Sequence, residues 1–329
     1  MPSHAPGRKY SKSPFLLLAL LALGAKAGAT ETASVPVRTS SEDASLEAPP
    51  QLTLQPAAAK PGDPVLVAVS GMTAPPTGTL AGRALRFFPW GDGYLAVAGL
   101  PVELTPGAAQ VKATGPVTPG APQVELTGTL DVVEPGYPSR ELRVAGKYVK
   151  PPASVRKRMA ADRRAFAEAF AQDFSAPHFA QNFAWPRADR ITAPFGDRRT
   201  FNGKVSSQHF GVDIDGDPGT PVQAANDGTV VMARDNYAAG NTVLVHHGAG
   251  LYTAYFHLSR IDVKPGTQVK QGQLLGKVGS TGRVTGPHLH WGVKVDGLWV
   301  DGERLLKLDF FPHLPPSVAR GGNAELGTP

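Results

Sequence analysis

The stretch Gly286–Val295 reads GPHLHWGVKV, and its alternation sets the fold class. Successive residues of a strand point to opposite faces. On that period Leu289, Trp291, Val293 and Val295 form an apolar face, and His288, His290, Gly292 and Lys294 form the other. This is the pattern of a half-buried strand. Two histidines on one strand face hold their imidazoles side by side. That suits a metal ligand beside an acid/base, but exposed histidines at a strand end would look the same. The rest of the chain has to decide.

Two further stretches carry the same kind of pattern. Ser207–Ile214 reads SQHFGVDI. Read as one strand, it puts His209, Gly211 and Asp213 on one face and Phe210, Val212 and Ile214 on the core side. The glycine then leaves room between the two polar side chains for a metal or substrate. Thr253–Leu258 reads TAYFHL. Here Thr253, Tyr255 and His257 share a face, with Ala254, Phe256 and Leu258 towards the core. Tyr255 fits groove lining and packing equally well. Four histidines and one aspartate therefore lie opposite the large apolar residues.

A catalytic zinc site needs three protein ligands and one open position. A His, His, Asp set fits zinc, and two histidines are left to move protons or hold an oxyanion. The chain has no cysteine, which excludes disulfides and thiolate ligands. It has no HExxH, which excludes the helical zincin design. His246 and His247 precede Gly248 at a strand end and read as turn hydrogen-bonders. Asp215 and Asp217 read as loop carboxylates, and His178 and His313 as surface residues.

The 329 residues suffice for two domains, with 41% hydrophobic and 18% charged residues. Glycine (37) and proline (32) are abundant, which favours strands and turns over helix. The net charge of +6 suits an anionic partner such as nucleic acid, lipid headgroups or cell-wall polymer, and equally serves simple solubility. No basic run with interleaved aromatics points to nucleic acid.

Arg8, Lys9 and Lys12, the apolar run Phe15–Ala25 and the small residues to Ala29 read as a signal peptide over residues 1–29. Eleven apolar residues are too few to span a bilayer, which needs roughly 20. Without cysteine there is no lipoprotein anchor, so the expectation is an exported protein, periplasmic or extracellular, with no transmembrane helix once mature. Residues 30–50 read as a flexible linker. Residues 51–148 carry short alternating runs punctuated by Gly and Pro, the signature of an immunoglobulin-like β-sandwich. Residues 149–184 form a helical connector, with Ser154 as N-cap and about five turns to Phe174. Residues 185–311 return to strands in a compact all-β domain, and residues 312–329 form a disordered tail.

The set His209-x-Gly211-x-Asp213, Tyr255-x-His257-Leu258 and TGRVTGPHLH over Thr281–His290 resembles the lysostaphin/LytM-type zinc metalloendopeptidases. Pro194-Phe195-Gly196 with Arg198-Arg199, Gly219-Thr220-Pro221-Val222 and Gly276-Lys277-Val278-Gly279 agree with it. The resemblance covers roughly Ile191–Leu306. It implies the duplicated hybrid motif fold and one zinc ion held by His209, Asp213 and His290. His257 and His288 would be the catalytic pair, a division between His288 and His290 that alternation alone leaves open. The implied activity is hydrolysis of peptidoglycan stem peptides or crosslinks. Val300-Asp301-Gly302 stands where members commonly have Val-Asp-Pro, so a local turn change is expected there. Three other readings compete: a non-catalytic activator of other wall hydrolases, a peptidase acting on glycine-rich proteins, and a wall-binding module.

Overall fold

The computed structural model describes residues 49–312 apart from Ala145 and Lys204. The expected signal peptide, residues 30–48 of the linker, residues 313–329 of the tail and His313 lie outside the described residues. Among the described residues no helix is long and apolar enough to cross a membrane.

The chain is mainly β. Its N-terminal part contains β1 (Gln51–Gln55), β2 (Ala58–Ala59), β3 (Pro64–Ser70), β4 (Thr77–Leu80), β5 (Arg83–Leu85), β6 (Phe88–Trp90), β7 (Gly93–Gly99), β8 (Gly107–Pro116) and β9 (Gln123–Val132). They form two sheets, ordered β1-β3-β7-β6 and β2-β9-β8-β4-β5. Val65, Val67, Ala96, Ala98, Val111 and Leu130 fill the space between them. The alternate residues of the same strands face the other way. Leu66, Phe88, Leu95 and Val97 belong to the core of the C-terminal part. The first sheet is thus buried on both faces, which explains its nearly continuous apolar runs, VLVAV and YLAVA.

Between the sandwich strands and the C-terminal part lie β10 (Ser139–Leu142) and α1 (Gly146–Val149), at the end of the span expected as sandwich, and α2 (Arg156–Ala169), in the expected connector. The expected cap at Ser154 does not form. Residues Ala153–Val155 make a 3₁₀ turn, no side chain caps α2, and the helix has 14 residues, about four turns. Asp162, buried in mid-helix, instead accepts hydrogen bonds from Tyr237 N at 2.8 Å and Arg234 Nη2 at 2.9 Å. Phe166 and Phe170 stack on one helix face, as their four-residue spacing dictates.

The C-terminal part contains β11 (Ile191–Ala193), β12 (Arg198–Phe201), β13 (Val205–Gln208), β14 (Val212–Ile214), β15 (Pro221–Gln223), β16 (Gly228–Asn236) and β17 (Gly240–His246). There follow β18 (Leu251–Leu258), β19 (Arg260–Ile261), β20 (Gln268–Val269), β21 (Leu274–Lys277), β22 (Leu289–Val295), β23 (Leu298–Val300) and α3 (Gly302–Leu305). The main sheet runs β11-β14-β22-β18-β17-β16-β20, with β23 also paired to β22. One face carries Val212, Ile214, Leu289, Trp291, Val293, Tyr255 and Val243, all fully buried. Burying each aliphatic side chain of this kind contributes roughly 1.5–3 kcal/mol. The other face carries Met232, Leu244, Ala254 and Phe256 under Ala169 of α2. The His288/His290 face of β22 lies on this second side, beside the helix.

Candidate metal centre

Asp213 and His290 sit opposite each other in the antiparallel β14–β22 register, and Phe256 sits opposite His290 in the β18–β22 register. His209 arrives differently from the expected single strand. The stretch Ser207–Ile214 is broken: β13 ends at Gln208, residues 209–211 bend, and β14 begins at Val212. His209 and Asp213 therefore converge across a bend. Phe210, expected in the core, is 36% exposed there. The role of Gly211 changes too. A Cβ at that position would lie 2.5 Å from His290 Cε1 and 2.8 Å from Trp291 O. The space the glycine leaves is filled by the His290 imidazole.

His209 Nε2 lies 2.9 Å from Asp213 Oδ1 and 2.9 Å from His290 Nδ1, and His290 Nδ1 lies 2.7 Å from Asp213 Oδ1. Three donor atoms thus meet at one point, the one such His/Asp group among the described residues. His209 Nδ1 faces Pro194 O at 2.8 Å. A carbonyl only accepts, so Nδ1 carries the proton and the Nε2 lone pair points into the cluster. Burial would raise the Asp213 carboxyl, but hydrogen bonding with His209 and His290 holds it well below the usual carboxylate range. Burial pushes His290 down to about 4. His209 Nε2, His290 Nδ1 and Asp213 Oδ1 thus turn towards a common centre, 2.7–2.9 Å from one another. This donor set fits a divalent cation, and its N₂O composition without sulfur fits zinc.

The second Asp213 oxygen is also held. Arg199 Nη2 donates to Oδ2 at 2.9 Å. Arg199 Nε and Arg140 Nε both reach Asp197 Oδ2, at 3.4 and 3.1 Å, and Asp197 is fully buried. Sequence reading passed over Asp197 and took Arg199 only as part of a flanking motif. The signal available was an acid two residues from an arginine after a Pro-Phe-Gly turn.

His257 and His288 flank the cluster. Their ring centroids are 5.3 Å apart, and His288 Nε2 is 3.6 Å from Asp213 Oδ1. His257 Nδ1 donates to Thr281 O and His288 Nδ1 to Gly286 O, both at 2.8 Å. Both rings therefore have Nε2 turned away from these carbonyls, that of His288 towards Asp213 Oδ1. Burial, with the nearby His290 and His288 rings, pushes His257 down to about 3. All five residues border a cleft of about 580 Å³.

His257 does not reach this face by simple alternation. Thr253 and Tyr255, expected beside it, point into the opposite core. Tyr255 Oη accepts from Ala225 N at 2.8 Å, and Thr253 Oγ1 bonds His247 Nε2 at 2.7 Å. Phe256, expected in that core, is on the site side, with its ring 5.1 Å from His290. The β17–β18 register slips between Asn241↔Leu258 and Val243↔Tyr255, and His257 has φ +62°. An extra residue on β18 makes a bulge, which brings Phe256 and His257 to the same side and returns Leu258 to the core. His247 is fully buried and donates from Nδ1 to Asp227 O at 2.7 Å.

The chain has relatives of known name. Residues 207–302 match Peptidase family M23. The peptidoglycan DD-endopeptidase ShyA of Vibrio cholerae is 47% identical over 109 residues, 33% of this chain and 25% of ShyA. The DD-carboxypeptidase/endopeptidase Mpg of Neisseria meningitidis is 40% identical over 108 residues, 33% of this chain and 25% of Mpg. The chain spans about a quarter of the length of these curated relatives. Among solved structures, a putative peptidase M23 from Pseudomonas aeruginosa is 27% identical with a TM-score of 0.55. That match covers 75% of this chain and 93% of the other, and so extends beyond the matched family segment.

Proposed function

The chain carries a Peptidase family M23 domain over residues 207–302, and from that premise we propose that it is an exported zinc-dependent endopeptidase that hydrolyses peptide crosslinks of bacterial peptidoglycan. The observation that carries the reading is the meeting of His209 Nε2, Asp213 Oδ1 and His290 Nδ1 at the floor of an open cleft. ShyA, named as a peptidoglycan DD-endopeptidase, supports the substrate class, and the DD-specificity in the names of both ShyA and Mpg supports D,D-crosslinks as the bond. A wall substrate in turn requires a location outside the cytoplasm.

In this reading His209, Asp213 and His290 hold the metal. A zinc ion there supplies Lewis acidity, which polarises a carbonyl and acidifies water at neutral pH. Arg199 holds the other Asp213 oxygen, Oδ2, and so fixes which oxygen faces the cluster. His257 and His288, each with Nδ1 committed to a backbone carbonyl, accept a proton at Nε2 and return it to the leaving amine. Once protonated, either ring can also stabilise an oxyanion.

The test uses purified protein, metal analysis and mass analysis of muropeptides released from sacculi. His209→Ala and His290→Ala are expected to lose both metal and cleavage. His257→Ala and His288→Ala are expected to keep the metal and lose roughly 10²–10⁴-fold in rate. Full activity of His288→Ala with metal bound would remove that residue from the catalytic pair. A wild-type protein that binds no zinc and leaves sacculi intact would instead favour the non-catalytic activator.

A further inference from the structure

Three arginines border the cleft, and two of them are accounted for. Arg140 pairs with Asp197, and Arg199 pairs with Asp197 and Asp213. Arg283 also borders the cleft, and among the described residues no carboxylate lies within ion-pair distance of it. Its guanidinium lies over the Phe201 ring, 4.9 Å from the centroid. Stacking fixes the plane of a guanidinium and leaves the N–H donors at its edge free, the edge that matches a carboxylate in a bidentate fork. Burial, and then the charge of Arg199, lowers the Arg283 pKa. A half-buried cation beside a second cation is a site that gains when an anion arrives.

Its place in the chain ties it to the chemistry. Arg283 stands midway between Thr281, whose carbonyl holds His257 Nδ1, and Gly286, whose carbonyl holds His288 Nδ1. Arg283 N donates to Ala238 O at 2.7 Å, which anchors the loop at that residue. The Arg283 side chain lines the same cleft as the two histidines.

We propose that Arg283 is a specificity-determining residue that binds a free carboxylate on the peptide, so that the enzyme selects acid-bearing crosslinked stem peptides over uncharged bridges such as oligoglycine. This rests on the endopeptidase reading above and names its substrate class.

Two pairs of probes test it on the full metal-loaded chain. One pair is a D,D-crosslinked muropeptide dimer with free carboxylates and the same dimer amidated. The other is the uncrosslinked tetrapeptide stem in acid and amide forms, which reports binding without cleavage. Wild type should prefer the acid dimer by roughly 10- to 100-fold in kcat/KM and bind the acid stem tighter by a similar factor. Arg283→Gln should lose that preference, with a far larger loss on the acid than on the amidated probes, while Arg283→Lys should retain part of it. Equal losses on acid and amide probes would show that Arg283 only braces the loop, and overturn the proposal. So would a wild type indifferent to amidation. Acid-dependent, Arg283-dependent binding of the stem without cleavage of any crosslink would support the carboxylate site while overturning the endopeptidase reading.

Discussion

At the residue scale, Gly211 and Arg199 decide how well the metal ligands are held. Gly211→Ala would bring a Cβ within 2.5 Å of an imidazole that is itself hemmed in by Phe256 and His209. His290 cannot swing away without losing Asp213. The variant is expected to be about 1–3 kcal/mol less stable, as for other overpacked sites, and to hold less than one metal per chain. Denaturant unfolding together with metal content measures both. Arg199 acts through the carboxylate and should not touch substrate. Arg199→Met leaves Asp213 Oδ2 without its cation, and the expected result is a roughly 10- to 100-fold weaker metal affinity. A competition titration with a chelator reads it. Unchanged affinity would mean that the backbone of β14 alone positions Asp213.

At the scale of the element, β18 differs most from a regular strand. Its bulge is closed from outside by Thr281, whose Oγ1 donates to Leu258 O at 2.8 Å and accepts from Asn241 N at 2.9 Å. Thr281 O in turn holds His257. Thr281→Val keeps the shape but takes the hydroxyl acceptor from Asn241 N and one of two donors from Leu258 O, whose other donor is Asn241 Nδ2 at 3.0 Å. A loss of about 1–3 kcal/mol is expected, with a fall in kcat because the carbonyl that holds His257 is no longer anchored by its own side chain. Thr281→Ser should restore both. A normal kcat in the valine variant would detach the loop from the positioning of His257.

The same element shows what the sequence could and could not reveal. The faces of β22 were legible because β22 is regular, and Leu289, Trp291, Val293 and Val295 are all fully buried. The faces of β18 were not, because period two fails at a bulge and every residue of that strand is buried. Nor did Ser207–Ile214 announce its break, since its bend answers to the Pro194 carbonyl and the His290 ring, both distant in sequence. Arg199 is similar: its meaning depends on Asp213, fourteen positions away. Local periodicity thus read the regular elements, while the irregular positions that carry the chemistry are set by tertiary contacts.

At the scale of the whole molecule, the N-terminal sandwich is part of the frame that holds the site. Tyr137 donates to Pro61 O, and its ring fills the space where a Cβ of Gly196 would stand. Gly196 belongs to the Pro194–Gly196 turn whose first carbonyl holds His209. Asp301 lies on this seam, where its N–H donates to Gly62 O at 2.8 Å and its side chain caps α3 through Glu303 N at 2.9 Å. The residue after it has no room for a side chain, because a Cβ on Gly302 would lie 2.6 Å from Trp291 Cζ3. Burial, then the neighbouring charges of Asp63 and Glu303, raise Asp301 to about 6 from an ordinary 3.8. An acid whose pKa is raised on folding contributes stability that is fully present below pH 3.8 and lost as pH rises through about 6. The two-unit difference corresponds to at most about 3 kcal/mol. Asn caps helices as well as Asp and carries no charge. Asp301→Asn should therefore match wild type near pH 4 and exceed it by up to about 3 kcal/mol at pH 7.5, with the difference opening between pH 4 and 6. Denaturant unfolding of both proteins across that range, at constant metal loading, provides the comparison. Parallel pH profiles would mean that Asp301 is ionised in the folded protein and that Arg304 and the α3 backbone neutralise it.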